Sequence, residues 1–244
     1  MSKILLLINI LVAFCAFSAN AKDFETDIID TSAGNLAITF VGHGTLMFSF
    51  GGKVIHVDPI SQMADYNKLP KADIILVTHE HSDHLDLKAI GIIRTAKTII
   101  IANEKGAKQI EGGVIMKSGD VKTVEGLRIE AVPAYNLVHM RNPGVPFHPR
   151  GVGNGYIIAF GDKRVYVAGD TENTPEMKAL KAVDIAFLPM NLPYTMTPEM
   201  AADAARAFKP KILYPYHYGE TDTSKLTALL KDAPEIDVRI RNMK

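Results

Sequence analysis

The chain of 244 residues has one cysteine, Cys15, and it falls in the apolar opening stretch. A disulfide framework, a thiol nucleophile and a cysteine-ligated metal are therefore excluded from the rest of the sequence. Any metal site there must draw on His, Asp, Glu or Asn. An excess of charge of one sign is missing too, since Lys and Arg number 27 and Asp and Glu also number 27. Bulk charge thus gives no reason to expect a nucleic acid or an anionic membrane as partner. Beyond residue 17 no apolar run approaches the roughly 20 residues that a membrane span needs. No Gly-x-Ser-x-Gly elbow occurs, which leaves serine-nucleophile chemistry unsupported. Gly151-Val-Gly-Asn-Gly155 lacks the Lys-Ser/Thr ending of a phosphate loop and reads as a flexible turn.

The opening itself reads as a signal peptide over residues 1–21. Lys3 gives the positive start, residues 4–17 are almost wholly apolar, and Ala19-Asn20-Ala21 is a small-x-small cleavage site. An uncleaved membrane anchor is the competing reading. A lipoprotein is disfavoured by the bulky Phe14 before Cys15. The expectation is a periplasmic or secreted protein with no stable membrane span once the leader is removed. Residues 22–244 then form a single domain large enough for a substantial core.

Short β-rich runs open that domain at 36–41, 45–50 and 53–57, with Gly51-Gly52 as a two-residue hairpin between the last two. Residues 73–78 are continuously apolar, the mark of a strand buried on both faces. Residues 85–95 have helical spacing, and strands are expected at 98–102, 121–124, 127–132, 155–160, 164–168, 184–188 and 211–216. The clearest helix starts at Thr197, a good N-cap, with Pro198 in its first turn and Pro210 ending the run. Phe50-Gly-Gly-Lys-Val-Ile-His-Val-Asp58 and Phe160-Gly-Asp-Lys-Arg-Val-Tyr-Val-Ala-Gly-Asp170 have one shape, and each is followed by a Lys-Ala pair and a buried strand. The class is α/β (α+β), in two pseudo-repeated halves whose sheets pack face to face with helices outside.

The chemistry concentrates in Thr78-His-Glu-His-Ser-Asp-His-Leu-Asp86, directly after a buried strand. His79 and His81 share a face while the chain stays extended. Asp83 and His84 lie where it turns into the next helix and approach from another side. Three imidazoles and a carboxylate within six residues suit a divalent cation of borderline softness, zinc in first place and manganese as the alternative.

This segment resembles the H-x-H-x-D-H signature of the metallo-β-lactamase superfamily, and the resemblance runs from about Leu36 to the C-terminus. Val165-Tyr-Val-Ala-Gly-Asp170-Thr is similar to the segment carrying the bridging aspartate, and Tyr214-Pro-Tyr-His217-Tyr to the one carrying the last histidine. Val41-Gly-His43-Gly and Val57-Asp58-Pro59 resemble the opening of a branch holding ascorbate-phosphate lactonases and phospholipase-D-type enzymes acting on N-acyl phosphatidylethanolamine. The resemblance implies a four-layer αββα sandwich and one or two divalent metal ions. His79 and His81 would hold the first metal, Asp83, His84 and His217 the second, and Asp170 would bridge them. The remaining first-site histidine is expected near Val132-Pro-Ala-Tyr-Asn136, where this chain has Asn136, a weaker neutral ligand, with His139 and His148 as substitutes.

The expected activity is hydrolysis of an ester, lactone or phosphodiester by water that the metal makes acidic, with Asp83 as the catalytic carboxylate. A β-lactamase is one alternative. A non-catalytic metal-dependent binding or sensor protein is another, kept open by Asn136. Asp58 is expected behind the ligands, holding a histidine in its tautomer. His43 is expected to line the pocket, with a plain loop histidine as the competing reading. The long segment 136–154 suggests a binding loop, with Arg141, His148 and Arg150 available to an anionic small-molecule substrate and Tyr194 contributing a pocket wall. Oligomeric state is not legible.

Overall fold

The computed structural model describes residues 24–243. The leader read at residues 1–21 lies outside the described residues. The first half supplies β1 (Thr26–Thr31), β2 (Gly34–Gly42), β3 (Thr45–Phe50), β4 (Lys53–Val57), β5 (Ile74–Val77), β6 (Ile99–Ala102) and β7 (Val114–Ile115), which lie side by side in chain order. The second half supplies β8 (Val121–Val124), β9 (Leu127–Ala134), the small hairpin β10 (Met140–Asn142) and β11 (Val145–Pro146), then β12 (Gly153–Phe160), β13 (Lys163–Val167), β14 (Ile185–Pro189), β15 (Ile212–Tyr216) and β16 (Asp237–Val238). Its sheet runs β8-β9-β12-β13-β14-β15-β16, with β10 and β11 paired apart from it.

The two sheets have one topology. Each begins with three antiparallel pairings, β1 to β4 and β8 to β13, and ends with three parallel ones. The repeated hairpins sit at equivalent places, Phe50 opposite Lys53 and Phe160 opposite Lys163. Parallel neighbours need a crossover, and helices supply it. Helix α1 (Leu87–Ile93) joins β5 to β6 and α2 (Glu104–Ala107) precedes β7. Helix α3 (Pro175–Lys178) precedes β14, α4 (Pro198–Phe208) joins β14 to β15, and α5 (Ser224–Leu229) precedes β16.

Period-two alternation sorts β5 between two cores. Ile74 and Leu76 face the interface between the sheets with Phe48, Ile55, Phe160 and Phe187, while Ile75 and Val77 face Ile90 and Ile93 of α1. On the opposite side α4 buries Ala201, Ala204, Ala205 and Phe208, with Phe208 edge-on to Tyr166. The order of layers is helix, sheet, sheet, helix. Thr197 caps α4 by accepting from the Met200 amide. Asp86 does the same for α1 through Lys88 and Ala89, so that helix starts two residues later than its periodicity suggests. The strand expected from residue 155 starts earlier, at Gly153, so the end of the glycine-rich run belongs to buried β12 rather than to a flexible turn, because β9 pairs with the strand as far as Gly153.

Candidate metal centre

Six connections bring polar side chains to strand ends along one edge of the sandwich. His43 follows β2, Asp58 follows β4 and residues 79–84 follow β5. Asn136 follows β9, Asp170 follows β13, and His217 follows β15. Three of these, His43, Asp58 and His217, are non-glycine residues with φ between 45° and 53°. Such backbone is costly for an L-residue and persists only where the surroundings fix it. Gly44 permits the close approach beside His43, since a Cβ there would come within 3.0 Å of the His84 ring.

Two groups of donor atoms result. His79 Nε2 lies 3.0 Å from His81 Nδ1, and His148 completes this triad. His84 Nε2 lies 3.1 Å from His217 Nε2, and Asp83 Oδ2 lies 3.7 Å from the first and 3.6 Å from the second. Asp170 stands between the groups. Its Oδ2 is 3.3 Å from His148 Nε2 and 4.0 Å from His79 Nε2. Its Oδ1 is 3.4 Å from both His84 Nε2 and His217 Nε2, is buried, and has no hydrogen-bond partner.

Behind these atoms, neighbouring residues settle which ring nitrogen is free. Asp58 accepts from the Thr78 amide at 2.7 Å, the Thr78 hydroxyl at 2.7 Å and His84 Nδ1 at 2.8 Å. With its proton committed to Asp58, the Thr78 hydroxyl accepts from His79 Nδ1 at 3.0 Å. Asn136 Oδ1 accepts from His148 Nδ1 at 2.8 Å. Each of these histidines thus commits Nδ1 to a neighbour and turns Nε2 towards Asp170, the orientation a metal ligand needs.

The electrostatics agree. Burial works against the charge of Asp170, yet His217 and His84 outweigh it and hold the carboxyl well below its usual range. Burial likewise opposes ionisation of Asp83, and His217 and His43 overcome it. His43 Nε2 is 3.2 Å from Asp83 Oδ2, and its ring lies against that of His217 with centroids 3.8 Å apart. Burial, reinforced by cationic His84, pushes His79 well below the ordinary histidine value. A buried carboxylate oxygen without a hydrogen-bond partner, facing the Nε2 atoms of His84 and His217, fits a divalent cation of borderline softness. A cavity of about 370 Å³ opens onto these groups and is lined also by Asn191, Tyr194, Phe147 and Arg141.

Comparison with known proteins bears on this geometry. The profile of the β-lactamase superfamily domain matches residues 37–217, most of the chain. The chain belongs to the metallo-β-lactamase superfamily. A UPF0173 metal-dependent hydrolase of Methanopyrus kandleri is 31% identical over 75% of this chain and 84% of its own length. Another, of Pelotomaculum thermopropionicum, is 28% identical over 84% and 96%. A crystal structure from Parabacteroides distasonis, described as a metal-dependent hydrolase, is 54% identical, covers 91% of this chain and 100% of its own, and superposes with a TM-score of 0.87. CmlA, a diiron β-hydroxylase of Streptomyces venezuelae, shares the fold alone, at 17% identity and TM-score 0.68 over 85% of this chain and 53% of its own. The chain is a metal-dependent hydrolase of this metallo-β-lactamase superfamily.

Within the superfamily frame two expectations need correction. Asn136 does not face the donor atoms: its Oδ1 is taken by the amide and ring of His148, and its Nδ2 donates to Glu172 and to the Tyr194 carbonyl. The residue that stands with His79 and His81 is His148. Arg150 does not reach the cavity, because it pairs with Glu176 at 2.6 Å and lies over the Tyr135 ring. His139, the other proposed substitute, is turned away and bonded to Glu172 at 2.8 Å. His79, His81, Asp83, His84, Asp170 and His217 all converge, Tyr194 lines the cavity, and Asp58 and His43 lie against the ligand groups. Sequence reasoning did not single out Thr78, Asn191, Phe147 or Glu172 for these places.

Proposed function

We propose that the centre is dinuclear, that His79, His81 and His148 hold one divalent ion while Asp83, His84 and His217 hold the other, and that Asp170 serves both. The supporting observation is Asp170 itself, a buried carboxylate flanked by imidazoles on two sides with Oδ1 unpartnered. When bound, two such ions, zinc in first place and manganese second, supply Lewis acidity to a scissile oxygen and acidify an attacking water. The chain's own residues do the rest. Asp58, Thr78 and Asn136 keep the rings in register. Asp83, held ionised and half exposed at the cavity, accepts a hydrogen bond from the water and orients it. His43 bonds to the same Asp83 oxygen and fixes its direction.

The reaction read from this arrangement is hydrolysis of an ester, lactone or phosphodiester. The opening motifs at His43 and Asp58 support the lactonase and phospholipase-type branch over β-lactam cleavage. The binding-protein alternative loses its motive, since His148 supplies the imidazole that Asn136 does not. The test is turnover of lactone, aryl ester, phosphodiester and β-lactam panels by zinc- and manganese-loaded protein, with Asp83→Ala and His217→Ala as controls. β-Lactam cleavage alone, lost in both variants, would overturn the branch assignment. No turnover of any panel with metals fully loaded would overturn the hydrolytic reading. An exported protein is part of the same proposal. Mass spectrometry of the protein made in a Gram-negative host should place its N-terminus at Lys22.

A further inference from the structure

Arg141 stands apart from the other arginines of the chain. Arg94 bonds a carbonyl, and Arg128, Arg150, Arg164, Arg206, Arg239 and Arg241 each meet a carboxylate. Arg141, at the centre of β10, has only an aromatic ring: its guanidinium carbon lies 5.8 Å from the Phe147 centroid. It is also the one arginine that lines the cavity over the metal centre, together with Asp83, Asp170, His217, Phe147 and Tyr194. We propose that Arg141 is the substrate-anchoring residue, and that the substrate carries a carboxylate or phosphate group separate from the bond that is cleaved. This rests on the hydrolytic reading of the same site and narrows its substrate class.

The hairpin that carries Arg141 is tied down at its base. Buried Glu172 accepts from the amides of Leu137, Val138 and His139, each at 2.7 Å, and from His139 Nδ1 and Asn136 Nδ2. These are charge-assisted bonds to one carboxylate, about twice as strong as neutral ones. Val138 and Met140 are exposed, so apolar packing does not hold this part of the chain. Phe147, directly after β11 and edge-on to Tyr194 with centroids 5.0 Å apart, carries the Arg141 guanidinium over its ring. The fork of donors is therefore held in place with nothing anionic on it. A planar guanidinium in this state binds carboxylate or phosphate in bidentate fashion. Asp83 and Asp170 repel such an anion where no ion neutralises them, so the second negative group of a substrate is drawn to the Arg141 side.

The experiment is calorimetric titration of the metal-loaded protein with α,ω-dicarboxylates from succinate to adipate, and with monocarboxylates of equal length. Both kinds offer one carboxylate to the centre, and only the former offers a second to Arg141. The expected result is that one dicarboxylate binds tenfold or more tighter than its monocarboxylate partner. Arg141→Gln should abolish that preference and Arg141→Lys should keep part of it, with metal content and monocarboxylate affinity unchanged in both. Phosphonocarboxylates of the same lengths identify the anchored group. Tighter binding than the dicarboxylates assigns a phosphate, and equal or weaker binding assigns a carboxylate. No preference in the unmodified protein, no binding of any dianion, or a preference that survives Arg141→Gln would overturn the proposal. Metal-loaded protein without the preference would leave the dinuclear hydrolase standing, whereas an Arg141-dependent preference in protein that takes up no metal would do the reverse.

Discussion

At the scale of single residues, the proposed centre rests as much on hydrogen bonds behind the histidines as on the donor atoms that face one another. Asn136 shows this best. The superfamily resemblance implies a place at the centre for it, and it lies there, but as an acceptor for His148 Nδ1 rather than as a donor atom for a metal. The sequence could not show it, because the Asn136 amide donates to the His148 carbonyl at 2.9 Å and closes the loop 137–147, which brings two distant positions together. The six motif residues were legible because a strand end fixes their directions, whereas a loop closure leaves no periodic trace. Asn136→Ala should weaken binding of one ion by about 10- to 100-fold, the usual cost of losing a partner behind a ligand histidine. Asn136→His should bring no gain, since His148 already occupies the place. Competition with a metallochromic chelator measures both. A tighter site in Asn136→His would show that the asparagine had been standing in for a ligand.

His56 gives a prediction of another kind. It is wholly buried, with Nε2 donating to the Pro70 carbonyl and Nδ1 unpartnered, and burial pushes its pKa down from 6.5 to about 4. Above pH 6.5 the ring is neutral in both folded and unfolded chains, and its contribution is fully present. As pH falls from 6.5 to about 4 the unfolded chain takes up a proton that the folded one refuses, so stability is lost. The shift corresponds to about 3 kcal/mol over that window. Denaturant unfolding of the wild type and His56→Gln, both with metal removed, should give stability curves that diverge by this order between pH 6.5 and 4. Parallel curves would show that His56 is protonated in the folded protein.

At the scale of elements, the strands of the two halves were readable wherever a run was buried on one or both faces. β3, β4 and β8 fall where their residues put them. β1, β7, β10, β11 and β16 were not read. Most of these are two or three residues long or lie at sheet edges, too short or too exposed for alternation to show. β12 starts two residues before its expected beginning for a related reason, since a glycine-rich run signals a turn unless something presses on the backbone. At Gly155 something does, because an added Cβ would lie 2.6 Å from the Ala168 carbonyl oxygen and 2.9 Å from that of Val167. Neither atom can yield without moving β13. Gly155→Ala should therefore destabilise the fold by about 1–3 kcal/mol. Gly91→Ala, in α1 with open space around it, should stabilise by about 0.5–1 kcal/mol. Thermal unfolding of the pair gives the comparison, and equal midpoints would contradict the packing described for β12.

At the scale of the whole molecule, repetition is what makes the site. Two sheets of one topology, face to face, bring the ends of β4 and β5 from one half and of β13 and β15 from the other to a common edge. The equivalent hairpins end in Asp58 and Asp170, and the two carboxylates have diverged. Asp58 is satisfied by Thr78 and His84 and holds a ring in place, while Asp170 keeps an oxygen unpartnered among imidazoles. The pairing of halves was legible from the Phe-Gly-x-Lys hairpins, and the division of labour was not, because it depends on which side chains the opposite sheet presents.

The central claim is that two ions share Asp170 and that His148 completes one of their sites. Anomalous diffraction at the zinc edge, from crystals of the zinc-reconstituted protein, tests it most directly. The account predicts two peaks, one among His79, His81 and His148 and one among Asp83, His84 and His217, each within reach of an Asp170 oxygen. A single peak, or a peak bonded to Asn136 with His148 turned away, would contradict it.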